Sequence, residues 1–191
     1  MSHLYQRLMP SGGIKLAVFA AAILCVQSAA LAQEPALKRE HLGDYKDWST
    51  FKDQPKDTKA VCYMISQPKQ PAQLPNGAER RNAFVMISHW PGRQEYGVVR
   101  LNSGFDYRRG AAVLLSVDGR TYELYGDGQD AWTFGLDDDA RIVQSMKRGL
   151  KAEVSAKAAR GFDATDVFSL KGFTAAYKRI SDACGVALSA S

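Results

Sequence analysis

The side chains able to do acid–base, metal or nucleophilic chemistry are few and scattered. Histidine occurs only as His3, His41 and His89, none in an H-E-x-x-H arrangement or a Cys/His cluster. A transition-metal site therefore has little to be built from. His89 closes an apolar run beside Trp90, where the ordinary reading is a half-buried side chain. The alternative makes it the centre of an envelope hydrolase or small-ligand enzyme, with acids brought in by the fold. No G-x-S-x-G, Walker or G-x-G-x-x-G pattern occurs, so no nucleophile or phosphate cradle announces itself. Asp127, Asp130 and Asp137–Asp139 invite a calcium reading, but they lack the ligand spacing and closing glutamate of an EF-hand. These residues assign no catalytic, metal or cofactor site, and the expectation is a protein that is not an enzyme.

Arginine is the richer signal. Arg80, Arg81, Arg93, Arg108 and Arg109, with Arg100 and Arg120 nearby in sequence, fall at predicted strand ends and turns. Converging on one rim, they would suit bidentate binding of phosphate or carboxylate. The alternative is solubilising charge with local ion pairs. Trp90, Tyr96, Tyr107 and Trp132 could stack on a ligand, although aromatic residues in a small β domain more commonly fill its core.

The leading segment places these residues in a compartment. Arg7 and Lys15 precede or enter the apolar stretch Ile14–Val26, and Ala30-Leu31-Ala32 has the form of a cleavage site. Residues 1–32 thus read as a secretory signal peptide that removes Cys25 with it. Of 191 residues 159 remain, with 23 basic against 20 acidic, so the charge falls from +5 to +3. That mild balance permits contact with an anionic surface and disfavours a nucleic-acid binder. The two remaining cysteines, Cys62 and Cys184, read as one disulfide in an oxidising compartment. On composition alone, two separate buried thiols remain the alternative.

Residues 33–44 are polar and aperiodic and read as a flexible arm, and 45–191 as a single domain. Short strands are expected at Trp48–Phe51 and Ala60–Ser66, the latter with Val61, Tyr63 and Ile65 on one face and Cys62 and Met64 on the other. Gln67–Arg81, with Pro68, Pro71, Pro75 and Asn76-Gly77, reads as a long surface loop. Asn82–Trp90 is nearly continuous in apolar residues, as in a strand covered on both faces, and Glu95–Leu101 follows as the next strand. Asp118-Gly119 signals a type I′ hairpin, pairing Val117 with Arg120, Leu115 with Tyr122 and Val113 with Leu124. Asp137–Arg148 has acids first, bases last and Gly149 beyond, the signature of a helix. Lys151–Ala159 and Ala164–Leu170 read as strands. A closing helix then sets Phe173, Ala176, Tyr177 and Ile180 on one stripe before Gly185. The expected fold is mainly β, an antiparallel sandwich or flattened barrel of about eight strands with one inserted and one C-terminal helix.

VCYMISQPK, SGFDYRRG, VDGRTYELYGDGQDAW and above all VFSLKGFTAAYKRISDAC resemble the invasion-associated locus B family of exported bacterial proteins. The likeness runs from about Trp48 to Cys184; His89-Trp90-Pro91 departs from the His-Arg-Pro expected there. The resemblance implies a Cys62–Cys184 bridge and a periplasmic, secreted or surface-associated protein, linked in some pathogens to host-cell entry. It carries over no catalytic residues. The expected function is a non-enzymatic binding protein of the cell envelope, not membrane-spanning, whose partner is a protein or an envelope component. A second alternative is an arginine-mediated binder of anionic glycan or lipid.

Overall fold

A computed structural model describes residues 37–187, apart from 57, 76, 77, 79 and 81. The signal-peptide reading, Cys25, residues 33–36 of the arm, Asn76-Gly77 and Arg81 lie outside these residues. The described chain is mainly β. Ten antiparallel strands form one sheet in the order β1-β2-β3-β4-β5-β8-β7-β6-β9-β10, not closed into a barrel. They are β1 (Leu37–Tyr45), β2 (Trp48–Pro55), β3 (Val61–Ser66), β4 (Phe84–Trp90), β5 (Glu95–Asn102), β6 (Ala112–Val117), β7 (Arg120–Asp127), β8 (Asp130–Trp132), β9 (Lys151–Lys157) and β10 (Asp163–Ser169). One helix is inserted, α1 (Leu136–Arg148), and one closes the chain, α2 (Phe173–Cys184).

The hairpin forms in the expected register, Val117 facing Arg120, Leu115 facing Tyr122 and Val113 facing Leu124. Asp118 and Gly119 both take positive φ, 45° and 90°, as a type I′ turn demands. α1 carries Asp137–Asp139 in its first turn and Lys147-Arg148 in its last, complementing the helix dipole. α2 buries Phe173, Ala176, Tyr177 and Ile180. Its end is a Schellman cap: Gly185 is left-handed, and Val186 N–H donates to Ser181 O at 2.9 Å.

Three expectations change. The segment 33–44 is not a flexible arm where it is described, because Leu37–Tyr45 pairs along β2 from Leu37↔Pro55 to Tyr45↔Trp48. Its alternating charges hid the strand: an edge strand takes one neighbour and buries little, so it needs no apolar face. The short strand expected at Trp48–Phe51 is longer, because β2 continues to Pro55. The proline-rich loop lies at the surface as expected, and changes only in being pinned there rather than free. Lys69 N–H donates to Val167 O at 2.8 Å and Val167 N–H to Gln70 O at 2.9 Å, so the loop runs as a strap along β10.

The disulfide joins Cys62 and Cys184, 122 residues apart in sequence. It fixes the C-terminus of α2 to β3, beneath a core that includes Trp48, Met64, Ile87, Leu101 and Ile180.

Candidate binding surface

His89 is fully buried between the sheet and α2. At the end of β4 the register slips, Ser88 facing Val98 and His89 facing Tyr96, which leaves Gly97 as a bulge residue at φ 73°. Bulges strand a backbone N–H. Here Gly97 N–H donates to His89 Nδ1 at 3.0 Å. With Nδ1 accepting, the neutral ring carries its proton on Nε2, which donates to Ser181 Oγ at 3.0 Å. Ser181 Oγ donates in turn to Tyr177 O at 2.8 Å. This Ser–His pair thus runs in the direction opposite to a general base activating a nucleophile. Burial, then Lys147, push the imidazole pKa from 6.5 down to about 4.

Asp139 mirrors it from the other side of β5. β8 covers β5 only at Arg100–Asn102, and the Asp139 carboxylate takes the Val99 N–H at 2.9 Å and the Thr133 hydroxyl at 2.9 Å. Burial pushes its pKa from 3.8 up to about 6. The two groups act oppositely on stability. The depressed His89 contributes fully above pH 6.5 and loses its contribution as pH falls through about 4. The raised Asp139 restores stability as pH falls from about 6 towards 3.8. Asp139→Asn removes the second effect. Relative to the parent, the variant is expected to be worse at pH 4 than at pH 7 by roughly 2 kcal/mol in urea titrations. A difference that does not change with pH would contradict the Asp139 assignment.

Among the described residues, the arginines singled out in the sequence do not meet on one rim. Arg80 is drawn inward: Nε donates to Ser103 O at 3.0 Å, Nη2 pairs with the buried Asp166 carboxylate, and Nη1 is buried with no hydrogen-bond partner among the described residues. Asp166 also accepts the Ala72 N–H at 2.8 Å, so this pair ties the strap to β10. Arg108 and Arg109 are exposed in the connection after β5. Arg93 lies in the turn before β5, stacked 4.8 Å from the Trp90 ring centroid. β5 thus separates it from the other three. Among the described residues no cluster of His, Cys, Asp and Glu could hold a metal ion.

What the fold assembles instead is an uncovered sheet face. Cys62, Met64, Val85, Ile87, Val99 and Leu101 point into the core. The alternate positions Val61, Tyr63, Ile65, Phe84, Met86, Trp90 and Val98 are half-buried, with no helix over them. The expectation that Asn82–Trp90 is covered on both faces holds for one face only. Phe51 stacks on Tyr63 at 5.3 Å between centroids. Two arginines are clamped across this face. Arg39 donates twice to Asp53 at 2.8 Å and lies over Tyr63; Arg100 donates twice to Asp130 at 2.8–3.0 Å between the rings of Phe84 and Trp132. Between these pairs runs a groove of about 390 Å³ whose floor includes Val61, Tyr63, Ile65, Met86 and Trp90. The pairing neutralises both arginines and holds them flat, so the surface is apolar at its centre with polar margins, as at protein-binding sites. Alternation within β3 made half of this face legible. Nothing in the sequence showed that it would stay open.

The fold and its surfaces define a mainly-β domain closed by one disulfide, with an open aromatic sheet face. No helix among the described residues is long and apolar enough to cross a membrane. The chain belongs to the Invasion associated locus B (IalB) protein family, whose model matches residues 48–181. No curated protein and no solved structure matches it. Membership supports an invasion-associated envelope protein, and the disulfide is consistent with a location outside the cytoplasm.

Proposed function

We propose that this protein is a non-enzymatic binding domain, exported to the periplasm or cell surface, that engages a protein partner through the open face of β1–β5. The observation that carries this reading is the half-exposed aromatic and methionine surface, with Arg39 and Arg100 already immobilised on its rings. Rigid aromatic and arginine side chains lose little freedom on binding, and they dominate interface energetics. The envelope location and the association with invasion come from family membership. His89 supports the same reading, since both of its nitrogens are committed to holding the bulge and α2.

The test is a photo-reactive residue placed at Ile65 in cells, followed by mass spectrometry of the adducts. One partner is expected to be captured, and Tyr63→Asp with Met86→Asp should reduce its yield at least tenfold. A photo-reactive residue at Glu123, on the far hairpin, should capture none of it. Equal capture from both positions, or an adduct indifferent to the substitutions, would remove the face from consideration.

A further inference from the structure

A second surface lies around the turn that joins β1 to β2. Four turns distant in sequence are tied together there. Asp47 N–H donates to Lys171 O at 3.3 Å, Leu170 N–H to Leu150 O at 3.0 Å, and Asp118 N–H to Lys151 O at 3.3 Å. The Asp118 carboxylate accepts the Leu150 and Lys151 N–H groups at 2.8 and 3.2 Å. Gly172 is left-handed and packs so closely that a Cβ there would lie 1.9 Å from Tyr45 O. Most of these contacts are between backbone groups, so the arrangement of the turns is rigid.

The acids at this end are already engaged. Asp118 caps the neighbouring turn, Asp47 pairs with Lys69 at 2.7 Å, and Glu153 pairs with Lys151 at 2.8 Å. The cations are largely uncommitted. Lys46 and Arg148 have no ion-pair partner among the described residues. Lys171 acts on Asp47 only through space, beyond the Lys69 contact, and Arg120 lies over the Tyr122 ring. Among them stands Leu150, 78% exposed, the most exposed large apolar side chain among the described residues. An apolar side chain at the tip of a tight turn, ringed by unpaired cations, matches the chemistry of an anionic bilayer surface: headgroup phosphates outside, acyl chains just below. Other partners fit less well. A soluble polyanion gives Leu150 no reason to be exposed, and a protein groove would not favour an excess of one charge.

We infer that this four-turn end is a peripheral docking surface for anionic phospholipid, with Lys46, Arg120, Arg148 and Lys171 meeting headgroups and Leu150 entering the interface. This goes beyond the proposed protein-binding role and uses a different surface, so either can fail alone.

The test is co-sedimentation of the exported, disulfide-bonded protein with vesicles of three parts phosphatidylethanolamine to one part phosphatidylglycerol, and with phosphatidylcholine vesicles. Binding is expected only to the first, weakening as salt is raised. Arg148→Glu with Lys171→Glu should lower the partition coefficient roughly 25-fold, at about fivefold per cation. Leu150→Ser should lower it roughly tenfold. All three side chains are exposed, so thermal melts should match the parent. Equal binding to both vesicle types, or partitioning unchanged in the variants, would overturn the assignment. So would tight binding of dextran sulfate that ignores Leu150→Ser, which would give this end to a soluble polyanion.

Discussion

Replacing Cys184 with serine is expected to lower the melting temperature by roughly 10–20 °C, the largest single effect foreseen for this domain. The bond closes a loop of 122 residues. In the chain-entropy account, a cross-link over a loop of that size removes about 4–5 kcal/mol of freedom from the unfolded chain. For a domain of this length each kcal/mol moves the midpoint about 2–4 °C. The folded side adds to the loss, because Cys62 is fully buried and would be left as an unpaired thiol under the end of α2. Differential scanning calorimetry of the parent with and without reductant supplies the control, and the reduced parent should melt close to the variant. If Cys184→Ser melts within a few degrees of the oxidised parent, α2 is held by its apolar stripe alone and the closing role of the bond is wrong.

Asp166→Ala is expected to cost about 3–5 kcal/mol, because it leaves the Arg80 guanidinium charged, largely buried and without its counter-ion. The same substitution strips the Ala72 N–H of its acceptor, so the strap should loosen from β10 as well. Replacing both partners with apolar residues, Arg80→Met with Asp166→Leu, removes the charge with its partner and should cost much less. Urea unfolding of the two single variants and the double gives the coupling between them. Additive effects would mean the pair does not hold the strap. Hydrogen exchange at Lys69 and Gln70 reads the strap directly, and those amides should lose protection first in Asp166→Ala.

Much of this fold was legible because local signals agreed. The Asp118-Gly119 turn and the flanking alternation demand the same register, and the acid-to-base order of α1 matches its apolar spacing. The arginines show where legibility stops. Arg80, Arg93 and Arg100 are alike in sequence. In the fold one is drawn inward against Asp166, one lies on Trp90, and one is clamped by Asp130 between two rings. Which acid each meets depends on strand order, and the sheet places β8 beside β5 and the strap beside β10. The uncovered face was hidden for a related reason. An apolar run such as Phe84–Trp90 suits a strand covered on both sides or on one side only, and only the placement of the helices distinguishes them.

The sequence by itself determined the mainly-β class, the hairpin and its register, both helices with the glycine cap of α2, and the family, because these rest on contacts between near neighbours or on motifs kept intact along the chain. Tertiary structure alone decided that residues 37–45 form an edge strand, that His89 serves a bulge, and that one sheet face stays open. It also decided that four distant turns gather their cations around Leu150. Each of these depends on which groups lie unpaired after the sheet has formed. Unpaired groups are fixed by long-range neighbours, and those neighbours leave no periodic trace in the chain.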